Sequence, residues 1–304
     1  MHRRSGGGHG GRLLARALAA LLAAVICAAP AAAAPLLRVQ GTHFVRADGT
    51  AFEWRGITAF RLLELVAHGR ERDAEAYLRW AAAQQLTVVR VLAMARVLFT
   101  LSPSDGEEAL PRLLEHAARQ GIVVEVVALA DTASYDIDLA AHVRAIGRIC
   151  RARGNCAIEI ANEPYHPTQS GQVRDRPFLR GLRREIPVEI PVSLGTLDDE
   201  GELAAGDYVT WHSPREGDWP AKLWAGARLL RRFGKPVVAD EPMGAATRAI
   251  RGRRDNVPEH FARAAKICRE LGLGATFHYE HGLQAIRPDA AERRCLAAWL
   301  SALR

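Results

Sequence analysis

Beyond residue 35 the hydrophobic positions fall into a repeated two-part rhythm. A short run rich in β-branched residues leads into a turn. A longer segment follows whose apolar residues recur three and four apart. The short runs predict strands at residues 52–58, 87–93, 122–129, 157–161, 188–194, 208–212, 236–239 and 275–279. Many of their apolar residues are consecutive, as expected for parallel strands buried on both faces. The longer segments predict helices at 71–85, 107–120, 137–152, 174–185, 222–233, 258–271 and 289–303. In the last of these, Cys295, Leu296, Trp299, Leu300 and Leu303 share one face. Gly121, Gly154, Gly234 and Gly272 stand at helix ends, where a left-handed stop is needed. The connection at 196–206 is short and acidic and predicts a vestigial fifth helix. Eight such units in one chain predict a single-domain (β/α)8 barrel over residues 35–304. A doubly wound open sheet is the competing arrangement, but no glycine-rich phosphate loop follows the first strand. Residues 38–48 predict a hairpin that closes the barrel floor.

Charge changes this picture little. The net charge of the 304 residues is +7, but Arg3, Arg4, Arg12 and Arg16 lie in a leader without Asp or Glu, which leaves 7 − 4 = +3 for the rest. No zinc-finger spacing or basic-aromatic stripe accompanies that excess, so nucleic acid is not an expected partner. Residues 1–34 read as a signal peptide: a basic opening, an apolar stretch from Ala17 to Ala29, then small residues at 31–34. The stretch is too short for stable membrane insertion, and a secreted or periplasmic location is expected. Export leaves four cysteines in an oxidising compartment, without metal-ligand spacing. Cys150 and Cys156 flank a tight turn, and Cys268 and Cys295 lie on the inward faces of consecutive helices. Two disulfides are therefore expected, Cys150–Cys156 and Cys268–Cys295, against the alternative of four buried thiols.

In a barrel the chemistry collects at the C-terminal ends of the strands. That rule selects Arg90 on the second strand, Asp131 after the third and Asn162-Glu163-Pro164 after the fourth. It also selects Trp211-His212 on the sixth, Asp240-Glu241-Pro242 on the seventh and Phe277-His278-Tyr279-Glu280 on the eighth. Strands four and seven stand nearly opposite, so Glu163 and Glu241 form a carboxylate pair across the mouth. That pairing is the requirement of glycoside hydrolysis.

The motifs Phe52-Glu53-Trp54-Arg55-Gly56-Ile57, Val88-Val89-Arg90-Val91, Ile158 to Pro164 and Val237-Val238-Ala239-Asp240-Glu241 resemble glycoside hydrolase clan A, in its cellulase-like family 5 form. The resemblance covers the chain after the leader. It implies a retaining hydrolase of β-linked saccharides, with Glu163 as acid/base and Glu241 as nucleophile. Asn162 would hold the sugar 2-hydroxyl, Arg90 would keep Glu241 ionised, and His212 would orient one carboxylate. Repulsion from Glu241 is expected to raise the pKa of Glu163. Two departures stand out: no tryptophan ends strand eight, and no histidine follows strand three. Tyr165, Trp211, Trp219 and Tyr279 are the aromatic residues available as a sugar platform in their place.

Plainer roles compete for several of these residues. Arg90 also fits a core ion pair, His212 a rim histidine, and Trp54 simple packing. Arg248, Arg251, Arg253 and Arg254 crowd the loop after Glu241, where they suit either solvent or an acidic saccharide. No metal or organic cofactor is implied, since only His212 and His278 sit at strand ends. The alternative to a hydrolase is a catalytically lapsed barrel that binds saccharides at the cell envelope.

Overall fold

The eight predicted strands close on one another in chain order. The computed structural model describes residues 37–196, 205–245 and 255–304. The leader at 1–34, most of the connection at 196–206 and the four arginines at 248–254 lie outside the described residues. Three short strands come first: β1 (Arg38–Gln40), β2 (His43–Val45) and β3 (Ala51–Phe52). The barrel strands are β4 (Arg55–Thr58), β5 (Val88–Leu92), β6 (Val123–Leu129) and β7 (Cys156–Ala161), then β8 (Val192–Ser193), β9 (Val209–Trp211), β10 (Val237–Ala239) and β11 (Gly274–Phe277). Their order is β8-β7-β6-β5-β4-β11-β10-β9, every pair parallel. The seam between β8 and β9 is held by Ser193 Oγ and Thr210 Oγ1, 2.7 Å apart, and by Asp207 N donating to Val192 O. The result is the expected (β/α)8 barrel.

The helices are α1 (Leu62–Ala67), α2 (Glu71–Ala83), α3 (Pro103–Arg119), α4 (Leu139–Arg153), α5 (Gly171–Arg174), α6 (Arg176–Arg183), α7 (Trp219–Arg231), α8 (Pro258–Glu270) and α9 (Ala290–Leu303). Local chemistry sets their starts. Ser102 accepts the Asp105 N–H and Pro103 takes the first helical position, so α3 begins four residues before the predicted start at 107. Asp289 and Glu292 form a capping box on α9. Two strands differ from expectation. The first splits, because Phe52 pairs with the floor hairpin while Arg55–Thr58 joins the barrel. The fifth shrinks to Val192–Ser193. Pro187 and Pro191 offer no N–H to a ladder, and Val188 stands 84% exposed.

The floor is apolar. β1, β2 and β3 form an antiparallel sheet. Leu37, Phe44, Phe52 and Trp54 then pack with Val88, Val123, Ala157, Tyr208 and Val238 at the start of the barrel strands. Phe44 and Trp54 stack with centroids 4.9 Å apart. This end of the barrel is closed, which leaves polar groups to gather at the other.

Cys150 and Cys156 are bridged, with Cα atoms 5.7 Å apart. The other expected bridge does not form: Cys268 and Cys295 are free thiols. Both lie in the apolar layer between helices and barrel, each fully buried, and pack as small hydrophobes. Burial pushes the Cys268 thiol up to about 12, which keeps it from acting as a thiolate nucleophile.

Inside the barrel, apolar packing gives way to one charged knot. Arg90 is wholly buried, with Nη2 2.7 Å from Glu159 Oε2 and Nη1 3.0 Å from Glu241 Oε1. Glu125 Oε2 and Asp240 Oδ2 stand 3.8 and 4.0 Å from its Nε. Glu125, Glu159 and Asp240 are each fully buried, and each has one oxygen without a hydrogen-bond partner among the described residues. One cation cannot neutralise that many carboxylates, so protons must. Burial, with Asp240 and Glu159 close by, pushes Glu125 well above the usual carboxylate range. Burial also pushes Asp240 up to about 7, against the pull of Arg90.

The linkage has a definite sign. A carboxyl raised from 3.8 to about 7 keeps its proton in the folded chain while the unfolded chain loses it. Its contribution to stability is therefore full below about pH 4 and is lost as pH rises towards 7. Asp240→Asn, neutral at every pH and still able to accept from Thr276, should remove that dependence. Urea unfolding at several pH values should show the stability difference between variant and wild type growing in the variant's favour across this window. Arg90→Met should cost about 3–5 kcal/mol near neutral pH, because it strands buried charge. That cost should shrink as the solution is acidified and the carboxyls take up protons.

Candidate active site

The open end of the barrel gathers Arg90, Asn162, Glu163, His212, Glu241 and His278, all singled out in the sequence, with Arg215 beside them. Glu163 follows β7 and Glu241 follows β10, across the mouth from each other. His212, after β9, stands between them: Nδ1 is 3.1 Å from Glu163 Oε1 and Nε2 is 3.5 Å from Glu241 Oε1. One carboxylate oxygen of each glutamate and the imidazole nitrogen all lie within 4.8 Å of one another. Arg90 reaches the same group from below, donating to Glu241 Oε1 and, at 3.1 Å, to Asn162 Oδ1.

Glu241 is gripped at both oxygens. Oε1 faces Arg90 and His212, and Oε2 faces Arg215 Nη2 and His278 Nε2, each at 3.4 Å. His278 is fixed in turn by Thr58, whose Oγ1 lies 2.9 Å from Nδ1. Burial disfavours the Glu241 anion, but His212, His278, Arg215 and Arg90 together hold it well below the usual carboxylate range. Glu241 is only 6% exposed, yet it stays an anion.

Glu163 departs from expectation. Its hydrogen bond from His212 outweighs burial and the repulsion of Glu241, so its pKa falls below the ordinary value instead of rising. Burial would lower His212, but the charge of Glu241 and the bond to Glu163 overcome that, and its pKa is raised. The proton of the group therefore rests on His212, one hydrogen bond away from Glu163.

The backbone of Glu163 has φ +43°, left-handed for a residue with a side chain. Such a conformation costs on the order of 1 kcal/mol and persists only where neighbours enforce it. Gln169, 2% exposed, is the main enforcer. Its Nε2 donates to Asn162 O at 2.6 Å and Leu129 O at 3.2 Å, and its Oε1 accepts from Thr132 Oγ1 at 2.8 Å. The loop after β10 is held as tightly. Gly244 has φ +114°, and a Cβ there would meet His278 O at 1.6 Å, so only glycine lets this loop close over β11.

Several aromatic candidates leave the site. The Trp211 ring turns outward onto α7, where a Cβ on Gly226 would meet its Cζ2 at 2.3 Å. Alternation along the strand explains this, since His212 faces inward and its neighbour must face out. Tyr279 is 1% exposed, and its hydroxyl bonds Tyr77 and Ile286 O beside Phe277, within the core. Trp219, 8% exposed, packs against His260 and Arg263. Tyr165 alone of the four stays open at the rim, 43% exposed. Arg215 and Gln169 were not singled out in the sequence. Neither lies on a strand, and no periodicity marks them.

Two groups of side chains here have the chemistry of metal ligands: Glu163, His212 and Glu241, and Glu159, His212 and Asp240. Arg90 is within bonding distance of members of both, and its fixed charge occupies the electrostatic role a cation would take. Gln169→Ala should destabilise the protein by about 1–3 kcal/mol, the cost of buried carbonyls left without donors. Release of Glu163 from its loop should lower any activity further than stability alone explains. Denaturant melts read beside turnover separate the two effects.

No protein-family model matches the chain, and no curated protein matches it. Solved structures do. A glycoside hydrolase family 5 structure from Bacteroides vulgatus is 15% identical over 83% of this chain, with a TM-score of 0.59, and the match covers 63% of that chain. A β-glucanase from Saccharophagus degradans, solved in complex with cellotetraose, is 13% identical over 89% of this chain and 94% of its own, with a TM-score of 0.63. A glycoside hydrolase family 5 mannosidase from Rhizomucor miehei is 12% identical over 90% of this chain and 99% of its own, with a TM-score of 0.62. This chain spans about two thirds or less of the length of several of the matched structures. At such low identity the likeness is one of fold: the chain has the (β/α)8 architecture of glycoside hydrolase structures of the family 5 type.

Proposed function

We propose that the protein is a retaining glycoside hydrolase acting on a β-linked oligo- or polysaccharide, with Glu241 as nucleophile and Glu163 as acid/base. The approach of the two carboxylates carries this reading. Their nearest oxygens lie within 4.8 Å, closer to the spacing of a retaining pair, about 5–5.5 Å, than to that of an inverting one, about 6.5–9.5 Å. The glucanase and mannosidase among the similar structures support a substrate of that general class.

Each group has a task in the double displacement. Glu241, kept anionic by its four donors, attacks the anomeric carbon. Glu163 protonates the departing oxygen, and its proton arrives along the hydrogen bond from His212 Nδ1. The covalent glycosyl-enzyme then forms. Glu163, now a base, draws a proton from water, and that water releases the sugar. Asn162, oriented by Arg90, donates to the 2-hydroxyl, a contact that strengthens in the transition state. No step calls on a cofactor. The leader at 1–34 supports export, so the substrate would be met outside the cytoplasm.

Rescue by azide separates the two roles. Glu241→Ala should lose turnover on every substrate, and azide should restore some of it with inverted product. Glu163→Ala should lose about 10²–10⁴-fold on poor leaving groups and far less on aryl glycosides with good ones. Azide should then give retained product. Like stereochemistry from both rescues, or near-normal turnover in either variant, would overturn the assignment. A wild type that binds saccharides yet cleaves none of a broad β-glycoside panel would return the protein to the binding reading.

The pH profile gives a second check. Activity requires the proton shared by Glu163 and His212, and His212 is raised above 6.5. The alkaline limb of kcat/KM should therefore fall above pH 6.5 and belong to the pair. A limb near pH 4.5, the value of a lone carboxyl, would contradict it.

A further inference from the structure

The second oxygen of Glu241 has a partner that the sequence motifs do not announce. Arg215 sits in the loop after β9, 30% exposed at its side chain. Its Nη2 points at Glu241 Oε2 from 3.4 Å, and its Nη1 donates to Ala245 O at 2.7 Å. One guanidinium thus spans the carboxylate and the loop that carries it. The same oxygen meets His278 Nε2 from the other side. His278 is itself immobile, tied to Thr58 and covered by the close-packed backbone at Gly244.

From this geometry we infer that Arg215 is a positioning residue for the reaction: it fixes the Oε2 end of Glu241 and its loop, so that the carboxylate attacks from a single orientation. The inference rests on the hydrolase reading and adds a residue to it. Arg90 and His212 fix Oε1, while Oε2 has His278 on one side alone, which leaves the carboxylate some freedom about its last torsion. A second donor on Oε2 removes that freedom, and a guanidinium that also grips Ala245 O ties the torsion to the loop. Arg215 is partly exposed, unlike Arg90, so its removal leaves no stranded charge in the core and should not unfold the barrel. Arg90, His212, His278 and Glu163 are the other charged or titratable groups facing Glu241, and all remain in an Arg215 variant.

The test uses Arg215→Ala and Arg215→Lys in the full chain. On a substrate that the wild type cleaves, Arg215→Ala should lose about tenfold or more in kcat with little change in KM, the share of one charge-assisted hydrogen bond. Its acidic limb should move to higher pH, because Glu241 has one cation fewer. Arg215→Lys should keep the limb near its wild-type position while recovering part of kcat. Guanidinium chloride, against potassium chloride at equal ionic strength, should restore Arg215→Ala saturably and leave the wild type unchanged.

A reading independent of hydrolysis comes from carboxyl 13C NMR of glutamate-labelled protein. Arg215 is one of the cations that hold Glu241 below the usual carboxylate range, so Arg215→Ala should raise the pKa of Glu241. If the wild type cleaves nothing but Glu241 moves, the hydrolase reading fails while the action of Arg215 on Glu241 stands. If the wild type cleaves, and Arg215→Ala stays within twofold with an unmoved limb, the inference fails and the reading stands. An unmoved Glu241 also overturns it.

Discussion

One buried guanidinium organises this barrel from floor to mouth. Arg90 has no access to water, yet four carboxylates lie within 4.0 Å of it. Such a knot is stable only if most of the negative charge is cancelled by protons. Its own geometry divides the labour. The pKa values of the carboxyls below, Glu125 and Asp240, are driven up, so both take up protons more readily than an exposed carboxyl. Glu241, at the top, is also reached by Arg215 and two histidines and stays an anion. The same guanidinium orients Asn162. The interior ion pair and the contact with Glu241 that the sequence offered as rival roles for Arg90 occur together.

Around this centre the loops are held by polar staples that cost the barrel little elsewhere. Gln169 pins the backbone that places Glu163, and Arg215 links Glu241 to Ala245. His212 stands between the two carboxylates and holds the proton that Glu163 lacks. The site is thus set by hydrogen bonds within a rigid frame more than by apolar contact. The aromatic side chains nearby, Trp211 and Tyr279, serve the core, so binding of a sugar would rely on polar contacts and on rim residues such as Tyr165.

Much of this was legible in the chain because it rests on local pattern. Parallel strands buried on both faces show as unbroken β-branched runs, and the strand-end rule then points to Arg90, Asn162, Glu163, His212 and Glu241. What escaped depends on facts outside that pattern. Whether Trp211 faces in or out turns on one residue of register. Tyr279 was drawn to the core by a hydroxyl partner 202 positions away, Tyr77. Cys268 and Cys295 share neighbouring helices, but a bridge needs a direction as well as proximity. Arg215 and Gln169 act from irregular loops, where side-chain reach, not periodicity, decides what is touched. The lowered pKa of Glu163 needed the distance to His212, which only the folded chain supplies.

In the proposed reaction two close carboxylates perform a double displacement, and the anomeric configuration of the first-formed product separates it from a single one. Proton NMR of the wild type acting on a β-glycoside, followed from the first minutes, should show the β-anomer appearing first and the α-anomer only by later mutarotation. An α-anomer formed first would mean a single displacement by water, and would contradict the account at its centre.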